Sequence, residues 1–467
     1  MVNSSLTKEY IRNLEEQYSQ KFSESKKVFD QGQSYYPNQT SHSARIFKPF
    51  PPFIKSAHGS VVTTVDGVEL LDFWQGHFSN ILGHNNTILT NAIRSSLDSN
   101  MALQLGLSTP LENELASILK KATGLESFIF TTSGTLSTMY ATMLGLAHTN
   151  RSLVLKLEGG WHGAQPWSLI GVKYPEGIDK KILESAGLSK NWDEQVLTVP
   201  MNDVNALKEC FEKHGDKIGV FIAELVLGNS GMVMATKEFM QEARRLTEKY
   251  GSVFVIDEMV TGFRVRAGGL YKLYDIEPDM VTFGKAVTGG MPFACIAGKK
   301  DIVSEASVTK KPRVWADSGT FSCHPASLTA AITVLRYLID NEKEIYPHMI
   351  NNMNVLRDGC KKVMNKNNID VDITGESYDD SIPNFPIGTI RFIKDRSQYD
   401  RSRAIHHWNT TALDIDLRDR ISRIDLMLKG IYTWQGMGVV TYAHSRSDIE
   451  KLISAYSDIV TDFKKLI

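Results

Sequence analysis

The chain has 467 residues, 42% hydrophobic and 22% charged, which is the make-up of a globular protein of two or three domains. Its 52 basic and 53 acidic side chains nearly cancel, which argues against a general nucleic-acid or anionic-membrane surface.

The first residues, MVNSSLTKEYIRNLEEQYSQKF, are polar and charged and hold no signal-peptide core. No run approaches the ~18 apolar residues of a membrane span, so a cytoplasmic protein is expected. Residues 5–30 read as an exposed helical arm packed on a neighbour. Pro37, Pro49, Pro51 and Pro52 make 31–60 a loop region. VVTTVDGVELLDFW (61–74) is a hairpin about Asp66-Gly67. Helices are predicted over 86–103 and 110–123, the second opened by Thr109-Pro110 with Glu112. Strands at 127–130, 153–157, 220–224, 253–256, 280–283 and 294–298 alternate with helices at 134–148, 203–214 and 236–250. That alternation predicts an α/β fold with a mostly parallel central sheet covered by helices. Helix 325–340 closes this domain. The expected division is 1–95 (arm and small-domain segment), 96–340 (large α/β domain) and 341–467 (smaller α+β domain with strands at 387–393 and 438–442). Cys210, Cys295, Cys323 and Cys360 are far apart, with no zinc spacing and no disulfide framework. The histidines, His406 and His407 included, show no metal-ligand spacing, and no metal is expected.

Two apolar runs organise the chemistry. Val253-Phe254-Val255-Ile256 leads into Asp257, and Met280-Val281-Thr282-Phe283 leads through Gly284 into Lys285. Each run delivers an ionisable residue to the carboxyl end of a strand, where open α/β sheets bind ligands. A buried carboxylate and a buried lysine in one crevice suit the ring nitrogen and the Schiff base of pyridoxal 5'-phosphate (PLP). A helix cap or ion pair would explain Asp257 as well, and a surface position would explain Lys285. Lys156, inside Leu153–Leu157, is a competing lysine; Lys285 is preferred because it sits at a strand exit beside Gly284 and Gly289-Gly290. Thr131-Thr132-Ser133-Gly134-Thr135, between strand and helix, makes either a phosphate cup or a plain helix cap. Trp161-His162-Gly163 offers either an aromatic to stack on a cofactor ring or a packing Trp with a solvent-facing His.

These pieces, in this order, resemble the fold-type I PLP enzymes of the class-III aminotransferase family, and glutamate-1-semialdehyde 2,1-aminomutases among them. The resemblance spans roughly residues 45 to 450. It rests on Ser133-Gly134-Thr135, Trp161-His162-Gly163, Glu224 through Gly228-Asn229-Ser230-Gly231, Asp257 through Arg264, Gly284-Lys285 with Gly289 to Pro292, and Gly319-Thr320-Phe321-Ser322. It implies an internal aldimine on Lys285, Asp257 at the pyridine nitrogen, and Ser133, Gly134 and Thr135 at the phosphate. It places Trp161 and Val260 on the two ring faces, His162 beside the cofactor, Asn229 near the ring hydroxyl and Glu224 in support. Thr320 would reach the phosphate of a second subunit in a homodimer, and Arg45 would take a substrate carboxylate. The implied reaction moves an amino group between an amino acid and a keto acid or aldehyde through a pyridoxamine phosphate intermediate. An intramolecular aminomutase is the alternative, and an inactive PLP-fold scaffold a third reading. The sequence departs from the family at Leu136-Ser137, at Glu224-Leu225, and in a basic loop, Lys310-Lys311-Pro312-Arg313.

Overall fold

The computed structural model describes residues 4–99, 102–172, 184–404 and 411–463. His406 and His407 lie outside the described residues.

The N-terminal half begins with a hairpin-based sheet: β1 (Ile54–His58), β2 (Val61–Thr64) and β3 (Glu69–Asp72). The pair β2–β3 is the hairpin read from Asp66-Gly67. A C-terminal strand, Ile431–Tyr432, adds to β3 in parallel, Ile431 opposite Leu71. Leu70, Leu71 and Phe73 accordingly share one core with Leu356, Ile424 and Leu452 from the far end of the chain. The helices Ser4–Lys21 and Ser23–Gln31 pack on their own chain. They lie on this same core. Tyr10 donates to Asp425 at 2.8 Å, Arg420 bridges Glu15 at 2.6 Å, and Tyr18 and Phe22 are buried. The helical stripe Leu14, Tyr18, Phe22 was hidden among the charges, yet its four-residue spacing puts three apolar side chains on one face.

The large sheet has seven strands. They are β4 (Ser127–Thr131), β5 (Leu153–Leu157), β6 (Val196–Val199), β7 (Ile218–Glu224), β10 (Val253–Glu258), β11 (Met280–Gly284) and β12 (Ala294–Gly298), with a small ribbon of β8 (Val226–Leu227) and β9 (Val233–Met234) inserted after β7. The order is β4-β12-β11-β10-β7-β5-β6. Only β12 runs antiparallel to its neighbours. Every residue of β7, β10, β11 and β12 is buried. Helices cover both faces, so these strands read as unbroken apolar runs rather than alternating ones. The sequence reading missed β6 and the helix Glu342–Lys366. Its helix Pro110–Thr123 starts as expected, with Glu112 Oε1 accepting the Thr109 N–H at 2.8 Å.

Candidate active site

The register of β10 against β11 sets Asp257 opposite Thr282. The two strands end side by side, so Asp257 and Lys285 reach the same place from adjacent carboxyl ends. Both line one cavity of about 370 Å³, together with Gly134, Thr135, Trp161 and His162.

Asp257 is held by three donors. Its Oδ1 accepts the Thr282 hydroxyl at 2.9 Å and the Met259 N–H at 3.0 Å, and its Oδ2 lies 2.8 Å from His162 Nδ1. Burial pushes the carboxyl pKa up, but the hydrogen bond and charge of His162, the Met259 N–H and the charge of Lys285 outweigh it and hold it low. The carboxylate therefore stays ionised. An ionised carboxylate only accepts, so Nδ1 of His162 carries the proton. Burial also lowers the His162 pKa against the pull of Asp257, which leaves the ring neutral. His162 is 1% exposed, and its Nε2 is buried without a partner. The solvent-facing alternative is thus excluded.

Lys285 follows Gly284 in a left-handed conformation, φ +48°. For a residue with a Cβ this costs about 1 kcal/mol and concentrates at functional sites. It is half-buried, and among the described residues its Nζ has no hydrogen-bonded partner. Burial lowers its pKa; Asp257 and Glu224 oppose that shift and Arg264 adds to it. An amine whose pKa is lowered, and which faces a cavity without a hydrogen-bonded partner among the described residues, is suited to act as a nucleophile. Lys156 is different in kind. Its Nζ donates to the carbonyls of Gly160, Ser168 and Ile170 at 2.8, 3.0 and 2.9 Å. It braces the loop after β5 and does not line the cavity.

At the opposite end stands the N-terminus of the helix Gly134–Thr149. Ser133 caps it, its Oγ accepting the Leu136 N–H at 3.4 Å, and is not among the lining residues. Thr132, Gly134 and Thr135 are. The first N–H groups of a helix lack partners within the helix and favour an anion. Gly163, at φ +84°, lets the 161–163 loop close on this end. A Cβ there would stand 2.4 Å from Thr135 Oγ1.

The remaining expected residues divide. Trp161 is 40% exposed on the cavity wall, and its N–H donates to Glu224 Oε1 at 2.8 Å. Glu224 also accepts the Gly228 N–H at 3.0 Å, and burial, with the nearby Asp257 charge, raises its pKa. It ties the Trp161 loop to the β8–β9 ribbon from behind and does not itself line the cavity. Asn229, half-buried between β8 and β9, is also not a lining residue. Val260 must be corrected. It packs toward Gly228, whereas Met259 lines the cavity. Met259 comes directly after β10 ends at Glu258, and its N–H donates to Asp257 Oδ1, which keeps it beside the carboxylate. Thr320 is exposed and is not among the cavity's lining residues; its carbonyl accepts from Gln104. Arg45 is exposed at a second, larger cavity of about 660 Å³, which meets the first at Gly76 and His77. Gly76 and His77 carried no sequence signal, because they follow a hairpin and belong to no motif. Thr282 could have been found from strand pairing alone.

The cavity fits pyridoxal phosphate on its own chemistry. It offers an unpaired amine, an ionised carboxylate braced by a buried neutral His, and a helix N-terminus with small hydroxyls. Lys285 and Asp257 would hold the aldehyde and ring-nitrogen ends, and Gly134 and Thr135 the phosphate. The fold and these residues define a PLP-dependent enzyme of fold type I. The family profile described as "Aminotransferase class-III" matches residues 42–371, and the chain belongs to that family. Its cofactor is pyridoxal 5'-phosphate. The chain is 30% identical, over 95% of its length and 100% of the relative's, to a glutamate-1-semialdehyde 2,1-aminomutase of Methanosphaera stadtmanae. It is 34% identical to that of Caldivirga maquilingensis, over 67% of this chain and 72% of the relative. Among solved structures, a β-phenylalanine aminotransferase from Variovorax paradoxus superposes with a TM-score of 0.85 at 22% identity, covering 98% of this chain and 99% of the other.

Proposed function

We propose that the protein is an aminotransferase that moves an amino group from an amino acid to a separate keto acid or aldehyde. The observation that carries this is the shared cavity of Lys285 and Asp257. When bound, pyridoxal phosphate supplies an electrophilic carbonyl and a ring that accepts electrons. The chain's own part follows from its geometry. Asp257, kept anionic by His162, Thr282 and the Met259 N–H, holds a proton on a ring nitrogen. The Lys285 amine, its pKa lowered by burial, takes a proton from the substrate carbon and returns it two atoms away. Acid–base help of this kind contributes about 10²–10⁴-fold. Met259 and Trp161 bound the ring faces and keep water off them. Arg45, with no bonded partner among the described residues, takes a substrate carboxylate through its two-pronged donor face.

A second reading, an intramolecular aminomutase, is favoured by the names of relatives matching nearly the whole chain at 30% identity. Acceptor dependence separates the two. Purified protein is given one amino substrate with and without a keto acid, and product is followed chromatographically. A transferase turns over only with the acceptor. Equal turnover without it would replace the first reading by the second.

A homodimer in the cytoplasm completes the proposal. Leu103, Leu107 and Phe321 are large apolar side chains left 67%, 81% and 64% exposed around Thr320. Exposed apolar patches of this kind mark protein interfaces. Sedimentation should give twice the 52.3 kDa chain mass. Among the described residues no helix is long and apolar enough to cross a membrane.

A further inference from the structure

The segment Gln75–Phe78 has four consecutive residues in the left-handed region, φ +46°, +61°, +58° and +70°. Three of the four are not glycine, and a residue with a Cβ adopts this conformation only at an energetic cost. Such a conformation persists only where its surroundings over-determine it. Asp72 accepts the N–H groups of Trp74 and Gln75 at 2.7 and 3.1 Å, and His84 Nε2 stands 2.8 Å from Asp72 Oδ2. At the other end, buried Arg264 donates to the Phe78 carbonyl. The clamped turn places Gly76 and His77 on the wall that the two cavities share. His77 is fixed there between Trp74, ring centroids 4.1 Å apart, and His42, at 5.1 Å.

Beyond that wall lies the cavity of about 660 Å³. Tyr35, Tyr36, Phe53, Ile54, Ala57 and Trp74 make most of its surface apolar. Tyr35 is 77% exposed and Ile54 47%, so large apolar side chains stand open to solvent on its wall. Its acidic and strongly basic lining residues are Asp72 and Arg45. Asp72 is committed to the turn and to His84. The Arg45 guanidinium has no hydrogen-bonded or ion-paired partner among the described residues.

We infer that this cavity is a subsite for the hydrocarbon tail, aryl or extended alkyl, of a carboxylate-bearing amino substrate whose amine reaches Lys285. The inference rests on the amino-transfer reading and names its substrate class. The turn at Gly76-His77 sets the path between the two chambers. Arg45 takes the carboxylate, and the apolar walls take the tail. A small polar amino acid would leave those walls in water, with no gain from burial. A tail that covers them gains about fourfold in affinity per buried methylene.

The test is calorimetric binding of 4-phenylbutanoate and butanoate to the holoenzyme, so that no turnover is needed. The wild-type protein should bind phenylbutanoate about tenfold or more tighter than butanoate. Ile54→Trp or Ala57→Phe, shown to be folded by a cooperative melting curve, should reduce that ratio to about threefold or less. Equal binding of the two acids by the wild type overturns the inference, and so does a full preference retained in a folded variant. If both variants fail to fold, the wild-type ratio still decides, and Tyr36→Ala should weaken phenylbutanoate alone. Failure of the amino-transfer reading looks different: no amine donor shifts the cofactor absorbance, while the ratio of the two acids is unaffected.

Discussion

Lys156 and Lys285 are two inward-facing lysines of one sheet, and burial lowers the pKa of both, that of Lys156 to about 7. Their surroundings make them opposites. Lys156 sits within β5 and gives its protons to three backbone carbonyls. Lys285 sits past the end of β11 in a left-handed conformation, half-exposed to a cavity, with Asp257 and Glu224 near but not bonded to it. Desolvation alone therefore does not make an amine reactive. What differs is whether its hydrogen-bonding capacity is already used. A satisfied lysine is a brace, and an unsatisfied one beside open space is free to react.

The contrast can be broken from its strongest side. Lys285→Ala should reduce amino transfer by about 10⁴-fold, because one residue both captures the cofactor and carries the proton. Its melting temperature should hold, since no bond within the protein is lost. Activity within tenfold of wild type would sink the assignment. Lys156→Met should do the reverse. It leaves three buried carbonyls without donors, and urea unfolding should show a loss of about 4 kcal/mol. Cofactor absorbance should persist in the protein that folds. An unchanged unfolding midpoint would remove the bracing role.

A third buried basic group sharpens the same point. His444 is fully buried, with its Nδ1 accepting the Thr441 N–H at 3.1 Å and its Nε2 3.1 Å from the Asp72 carbonyl. Burial pushes its pKa down to about 4 from 6.5. The unfolded chain therefore binds the proton more tightly than the fold does. Stability is fully present above pH 6.5 and falls as the pH drops toward 4, by up to about 3 kcal/mol. Melting curves across that window should show the loss, and His444→Gln should make it shallower, with the part due to His77, also pushed down to about 4 by burial, remaining. The smallest effect belongs to His162→Gln. It weakens the brace on Asp257, and kcat should fall about tenfold while the cofactor still binds. The pH profile of kcat should shift as the carboxyl pKa rises, which a merely structural role for His162 would leave in place.

The chemistry was legible wherever a residue followed an unbroken apolar run, because four or five β-rich residues bounded by glycine and charge can only be a strand with an exit. Asp257 and Lys285 were placed by that reasoning, and the helix start at Ser133 by its cap. Val260 is expected at the ring, but the chain leaves its strand at Glu258 and the turn that follows brings Met259 to the cavity instead. The amphipathic stripe at Leu14, Tyr18 and Phe22 was overlooked for its charged neighbours.

Other features were beyond any local reading. Ile431 pairs with Leu71 across 360 positions, and no pattern near either residue announces it. The sequence sets the two lysines apart only by position, Lys156 inside its run and Lys285 at a strand exit beside glycine. Only the folded chain shows that the loop after β5 curls back to present carbonyls to one, while nothing curls back onto the other. The left-handed turn at Gln75–Phe78 is likewise a tertiary product, held by Asp72 before it and by Arg264 nearly two hundred residues later. Short-range propensity determines which segments become strands and helices, because those choices are settled within a few residues. The pairing of distant segments decides which polar groups are left without partners, and here it leaves the Lys285 amine beside the cavity with none among the described residues.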